Sequence, residues 1–123
     1  MPILDVEIVL QPGEALRPEL AAELADTVGL VFGSAPGTTW VKVRAIPTEY
    51  YAENQTSRPN DITPVFVSVL KAKLPPFNER QREVTRLTEA VARICRRPPE
   101  NVHILYHPGG AGRMAFGGTL VPD

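Results

Sequence analysis

Apolar and polar positions alternate from the start of this chain. Leu4, Val6, Ile8 and Leu10 are interleaved with Asp5, Glu7 and Val9, the two-residue period of a half-buried strand closed by Gln11-Pro12-Gly13. From about Arg17 to Phe32 the period changes, and Leu20, Leu24, Val28 and Val31 fall on one side of a helix. Pro18 suits its first turn, where a missing N–H costs nothing, and Gly33 with Pro36-Gly37 ends it. Trp40 to Ile46 alternates again, with Val41, Val43 and Ala45 on one face and Trp40, Lys42, Arg44 and Ile46 on the other. A polar stretch follows, and then the order repeats. Pro64 to Leu70 reads as a strand; Val84, Leu87, Val91 and Ile94 give the buried stripe of a helix; Val102 to His107 reads as a strand. Asn78 with Gln81 has the spacing of a capping box, Arg96-Arg97 complement a helix C-terminus, and Pro98-Pro99 stop the helix. Met114 to Val121 reads as a short terminal strand or hairpin.

Each half is thus a strand, a helix and a strand, and each second strand runs into a proline, Pro47 or Pro108. A repeat at this scale precedes any other reading of the fold. It predicts one domain over 1–123, with a first unit at about 2–50, a linker at about 51–63 and a second unit at about 64–121. Two such units predict an α/β fold, an α+β sandwich: one four-stranded sheet with both helices on one face. The opposite face is expected to carry Asp5, Glu7, Trp40, Lys42, Arg44, Lys71 and Lys73, together with Val65, Val67 and Val69. A face that apolar asks for a partner, and a homo-oligomer is expected.

Charge narrows the function classes. With 13 basic and 14 acidic residues among 123, the net charge is −1, which argues against a nucleic-acid binder. No apolar run approaches the roughly 18 residues that cross a bilayer. The N-terminus lacks a basic region followed by an apolar segment, so no signal peptide is expected and the cytoplasm is the default compartment. One cysteine, Cys95, excludes an internal disulfide and sits beside the helix stripe as an inert core residue. His103 and His107 share a strand face but have no second cluster of ligands, so neither a metal nor another cofactor is expected. Gly109-Gly110-Ala111-Gly112 follows a strand without the lysine and hydroxyl of a phosphate loop. Trp40, Tyr50 and Tyr51 read as packing residues at an interface.

One position remains for chemistry. Met1 before a small second residue is expected to be removed, which leaves Pro2 with a free secondary amine at the head of a strand. Every other proline nitrogen in the chain is locked in an amide without N–H.

With Pro2 at the start, Pro64 at the start of the second unit, Arg44 in the strand leading to Ile46-Pro47-Thr48-Glu49, and the terminal Arg113-Met114-Ala115-Phe116-Gly117-Gly118, the chain resembles the tautomerase superfamily over its whole length. That group includes 4-oxalocrotonate tautomerase, macrophage migration inhibitory factor, malonate semialdehyde decarboxylase and cis-3-chloroacrylic acid dehalogenase. The resemblance implies a homotrimer of two-unit subunits, a proline amine acting as general base or acid, and cations that hold a small-molecule carboxylate substrate. An amine next to cations in a poorly hydrated pocket has its charged form disfavoured, which brings its pKa toward working pH. The same cations would stabilise an enolate as the proton leaves.

Four cations are candidates. By the resemblance, Arg44 falls where 4-oxalocrotonate tautomerase carries a substrate-binding arginine. Lys71 and Lys73 lie near an arginine pair of the dehalogenase-like members, and lysine lacks the bidentate fork for carboxylate. Arg113 would reach a neighbouring subunit's pocket. Two departures stand out: Phe116 occupies the place of the water-activating carboxylate, and Leu105 that of a tyrosine, with Tyr106 beside it facing the other way. Keto–enol tautomerisation of a 2-oxo acid or related enolisable carboxylate needs only the proline and charge stabilisation. The alternatives left open are a dehalogenase, hydratase or decarboxylase of a short unsaturated or β-keto acid, and a non-enzymatic binding or signalling protein on the same scaffold.

Overall fold

The computed structural model describes residues 1–55 and 63–123. The element order is β1 (Ile3–Val9), α1 (Leu20–Phe32), β2 (Trp40–Ile46), β3 (Val65–Leu70), α2 (Phe77–Cys95), β4 (Val102–Tyr106), and a terminal hairpin of β5 (Ala115–Phe116) and β6 (Thr119–Leu120). Most of the expected linker, residues 56–62, lies outside the described residues. β1 pairs parallel with β2, β3 pairs parallel with β4, and β1 pairs antiparallel with β3, giving one mixed sheet in the order β2-β1-β3-β4. The four-stranded α/β sheet with two helices on one face is therefore the observed architecture.

Leu4, Val6 and Ile8 of β1 and Val65, Val67 and Val69 of β3 are buried against Leu20, Leu24 and Val28 of α1 and Leu87, Val91 and Cys95 of α2. This corrects the expected assignment of faces. The three valines of β3 point into the core, and the open face takes Phe66, Ser68 and Leu70 opposite Glu7, Asp5 and Ile3. The alternation in β3 is apolar on both sides, so polarity gave no sign of which face was covered. Lys71 follows the valines in parity and meets the helices: its Nζ is 2.7 Å from Glu83 on α2 and 4.9 Å from the centre of the Phe32 ring. Asp5, Glu7, Trp40, Lys42 and Arg44 do lie on the open face, where the parallel register sets Asp5 beside Lys42 and Glu7 beside Arg44.

Helix ends differ from the expected ones in detail. α1 starts at Leu20; Pro18 and Glu19 form a turn before it, and the Arg17 guanidinium reaches Glu23 and the Ile94 carbonyl instead. α2 starts at Phe77 after Pro76, and no side-chain cap bond forms, so the Asn78–Gln81 spacing is not a capping box. Gly33 ends α1 at φ +64, and its N–H and that of Ser34 return to the Leu30 and Gly29 carbonyls. The hairpin turns at Gly117 and Gly118, both at positive φ, the pair a tight two-residue turn requires.

One buried cation ties the far ends of these elements together. Arg97, with only 2% of its side chain exposed, donates from Nε to the Thr63 carbonyl (2.8 Å), and from its two terminal nitrogens to the Val9 carbonyl (3.0 Å), the Cys95 carbonyl (3.2 Å) and the Glu14 carboxylate (2.7 and 3.2 Å). The end of β1, the lead into β3 and the end of α2 thus converge on one guanidinium, where a dipole complement at the helix terminus was expected. Arg96 reverses the chain just before it in a left-handed conformation, φ +58.

Arg97→Ala is expected to cost about 3 kcal/mol or more, because it leaves a carboxylate and several buried carbonyls without their donor; urea unfolding midpoints measure it. Glu14 carries the pH dependence of this clamp. Burial raises its pKa, but the Arg97 hydrogen bond, the Gln11 N–H and the Arg97 charge outweigh it and leave the carboxyl below its ordinary value of 4.5. A lowered folded-state pKa contributes stability that is complete above pH 4.5 and is lost as pH falls through the folded value. Glu14→Gln should remove that acid-side slope, read by thermal unfolding between pH 3 and pH 6.

Candidate functional site

The topology gathers four chain segments at one end of the sheet. β1 and β2 begin there and β3 and β4 end there. Pro2 is buried at the head of central strand β1, and its carbonyl accepts a hydrogen bond from the Trp40 N–H (3.0 Å). The antiparallel register pairs Ile3 with Leu70, so continuing it by one residue sets Pro2 beside Lys71. Pro2 also shares the parity of Leu4 and Val6 and so belongs to the helix-facing side. Met1 before it is 53% exposed.

On the helix side of this end stands a compact polar group. Both oxygens of Glu83 are engaged: Oε1 by the Lys71 ammonium and Oε2 by the Tyr106 hydroxyl, each at 2.7 Å. Glu83 is 7% exposed. Burial, together with the Glu83 hydrogen bond and charge, holds the Tyr106 hydroxyl well above the ordinary phenol range. Sequence periodicity passed over this residue. Glu83, Leu87 and Val91 are spaced by four along α2, so a carboxylate occupies a position on the buried stripe, and that was the available signal.

On the open side, Ile3, Asp5, Lys42, Leu70, His107 and Arg113 line a cleft of about 410 Å³. The segment after β4 walls this end. Gly110 and Ala111 donate to the Lys71 and Ala72 carbonyls, and Phe116 stacks on Trp40 at 4.8 Å between ring centres, so the chain crosses from β4 to β2 over the start of β1. Its glycines serve close packing: a Cβ on Gly109 would stand 2.9 Å from the Ala72 carbonyl oxygen, and one on Gly110 would stand 2.3 Å from the Met114 sulfur. Trp40 and Phe116 therefore form an internal stack. Tyr51 packs beside Phe66 at the opposite end, and Tyr50 is 79% exposed.

Of the sequence candidates, Pro2 and Lys71 come together, and Arg113 lies in the adjoining cleft with a hydrogen bond to the Gly109 carbonyl. Lys73 lies past the end of β3, exposed, and does not share a face with Lys71 as two residues of one strand would. Arg44 is four residues along β2 from Trp40, roughly 13 Å from this end at the usual strand rise. It sits 3.7 Å from both Asp5 and Glu7. Cys95 is buried in the core, and burial pushes its thiol up to about 11, which leaves it protonated at neutral pH. Among the described residues no group of three His, Cys, Asp or Glu side chains could hold a metal ion, and no helix is long and apolar enough to cross a membrane.

Solved structures share this fold across nearly the whole chain. A fused 4-OT, solved as a symmetric trimer, matches with a TM-score of 0.76 at 14% identity, over 97% of this chain and 94% of that one. The macrophage migration inhibitory factor of Oncomelania hupensis matches with a TM-score of 0.73 at 14% identity, over 98% and 81%. A malonate semialdehyde decarboxylase inhibited by 3-bromopropiolate matches with a TM-score of 0.68 at 17% identity, over 94% and 88%. No protein-family profile matches the sequence, and no curated protein does. The chain has the fold of tautomerase-superfamily structures.

Proposed function

We propose that this protein is a keto–enol tautomerase of a 2-oxo acid or similar enolisable carboxylate, in which the amine of Pro2, freed by removal of Met1, is general base and then general acid. The observation that carries the reading is the placement of Pro2: buried, at the head of the central strand, beside Lys71 and the Glu83–Tyr106 pair. Removal of Met1, expected because the second residue is small, converts the Pro2 nitrogen from an amide to a secondary amine. The low dielectric of the site and the nearby ammonium disfavour the protonated amine, so a share of it is unprotonated at neutral pH. It takes the proton from the carbon next to the carbonyl, which leaves an enolate, and returns it to the enolate oxygen to give the enol; the reverse direction runs the same two transfers backwards. Lys71, Lys73 and Arg113 are proposed to hold the carboxylate and offset the enolate charge.

Arg44 is too far along β2 to serve the Pro2 of its own chain, so in this reading it serves a neighbouring copy. A single two-unit domain that closes as a homotrimer would bring it there, and the trimeric fused 4-OT of the same fold supports that arrangement. A cytoplasmic location is part of the proposal.

The malonate semialdehyde decarboxylase of the same fold keeps decarboxylation or dehalogenation as the second reading. Activation of a water has less support. Phe116 stands where the resemblance called for a carboxylate, and both oxygens of Glu83 are occupied. Turnover of phenylpyruvate enol, against 3-chloroacrylate or malonate semialdehyde, separates the two.

Pro2→Ala, with Met1 shown by intact mass to be absent, is expected to lower tautomerase kcat/KM about 100-fold or more. Unchanged activity in that trimmed variant would exclude the proline base. Arg44→Ala is expected to raise KM for carboxylate-bearing substrates while light scattering still reports three copies of 13.5 kDa. Dissociation to monomers with full activity in the remaining trimer would make Arg44 an interface residue only.

A further inference from the structure

We propose that Glu83 is a positioning residue for the proline base, and that its ion pair with Lys71 balances the charge beside the Pro2 amine. The inference rests on the reading of Pro2 given above. Lys71 is the residue that the strand register, continued by one position, sets beside Pro2, and its side chain is 19% exposed. Glu83 uses one of the three ammonium donors, and the Phe32 ring lies on another side at 4.9 Å. The Tyr106 hydroxyl fixes the second Glu83 oxygen, so the carboxylate cannot swing away without breaking two bonds.

A charge next to the amine acts on it according to sign. Lys71 disfavours the protonated amine, and Glu83, one bond further out, partly cancels that effect. Among the described residues, the other titratable or charged groups around this end include Arg80 on α2 before Glu83, Tyr106 and His107 where β4 ends, Lys73 and Arg113 in the loops, and Asp123 beside Gly112. Asp5 and Lys42 face the open side from β1 and β2 and sit 3.3 Å from each other. α1 contributes Phe32, which has no charge. The Lys71–Glu83 pair is the ion pair at this end on the proline's own side of the sheet, and Arg80 is a further cation there, acting on Tyr106 from α2.

The two ends of the pair should act in opposite directions. Glu83→Gln keeps the shape and the hydrogen-bonding capacity but leaves the ammonium uncompensated. Lys71→Met leaves the carboxylate alone. In Met-trimmed protein with 15N-labelled proline, the nitrogen resonance of Pro2 is followed against pH. We expect its midpoint to fall by about one pH unit in Glu83→Gln and to rise by a similar amount in Lys71→Met, the scale of one nearby charge at a partly buried site. Tyr106→Phe changes no charge and should leave the midpoint within about 0.3 units. If activity is present, the acidic limb of kcat/KM should move with the resonance.

Midpoints that stay in place, or that move the same way in both charge variants, would overturn the proposal and make the pair a structural tie. Should Glu83→Gln fail to fold, Lys71→Met and the double variant decide alone: the double variant should restore the wild-type midpoint. The titration does not depend on a substrate, so absence of tautomerase turnover would count against the reaction proposed above while the charge balance is judged separately. A chain that retains Met1 overturns both.

Discussion

The antiparallel pairing of β1 with β3 is the constraint from which the rest of the molecule follows. Each βαβ unit alone is a two-stranded parallel ribbon with a helix on it, too small to enclose a core. Joining them through β1 and β3 brings Leu4, Val6 and Ile8 alongside Val69, Val67 and Val65, and the two helices then cover a single apolar surface. Because the join is antiparallel while the strands within each unit are parallel, each end of the sheet carries two strand starts and two strand ends. One collects the starts of β1 and β2 with the ends of β3 and β4; the other collects the reverse. The position of Pro2, at the head of β1, is set by this pairing.

A buried ion pair stands at each end, and the two differ in how fully the cation is used. At the end away from Pro2, Arg97 is surrounded by backbone carbonyls and by Glu14, with every nitrogen bonded. A guanidinium so satisfied repays its desolvation, holds three segments together and has nothing left to offer a ligand. Near Pro2, the ammonium of Lys71 meets one carboxylate oxygen and the face of one ring. Among the described residues these are its polar and ring partners. α2 links the two pairs, with Glu83 near its start and Arg97 just past its end. The same helix therefore carries a clamp at one end and the partner of Lys71 at the other.

The parts of this arrangement that periodicity could reveal were those where one face of an element is apolar and the other polar. β1, β2 and both helices have that contrast, and their positions and the repeat followed from it. β3 lacks it: Phe66 and Leu70 on one side balance the valines on the other, so the buried side is set by pairing with β1, which is a long-range fact. The same ambiguity extends to Lys71, whose helix-facing side follows only from the parity that this pairing sets. Arg97 has no local signal of burial, since all its partners are distant in sequence or on the backbone. Glu83 did have one, a carboxylate in step with Leu87 and Val91, but Val84 one position along offered a more ordinary apolar stripe. Pro2 stands out in the sequence because the chemistry proposed for it depends only on its being second in the chain.

The helices leave one face of the sheet open. Asp5 and Glu7 alternate there with Lys42 and Arg44 across the β1–β2 register, a ladder of opposite charges that neutralises itself. Beside it lie Ile3, Phe66 and Leu70, half-buried, and Leu105, 63% exposed. The ladder and the apolar strip are parallel bands on one surface, so a partner covering one band has to contend with the other. The C-terminal segment covers only the Pro2 end, where Phe116 reaches Trp40. Arg44, beyond that cover and held by two carboxylates at 3.7 Å, keeps a loosely paired guanidinium facing outward. Exposed pairs at that distance contribute little to stability, so an incoming carboxylate or a neighbouring chain can exchange with them at small cost. The weakness of these pairs leaves the cations of the open face available to other partners.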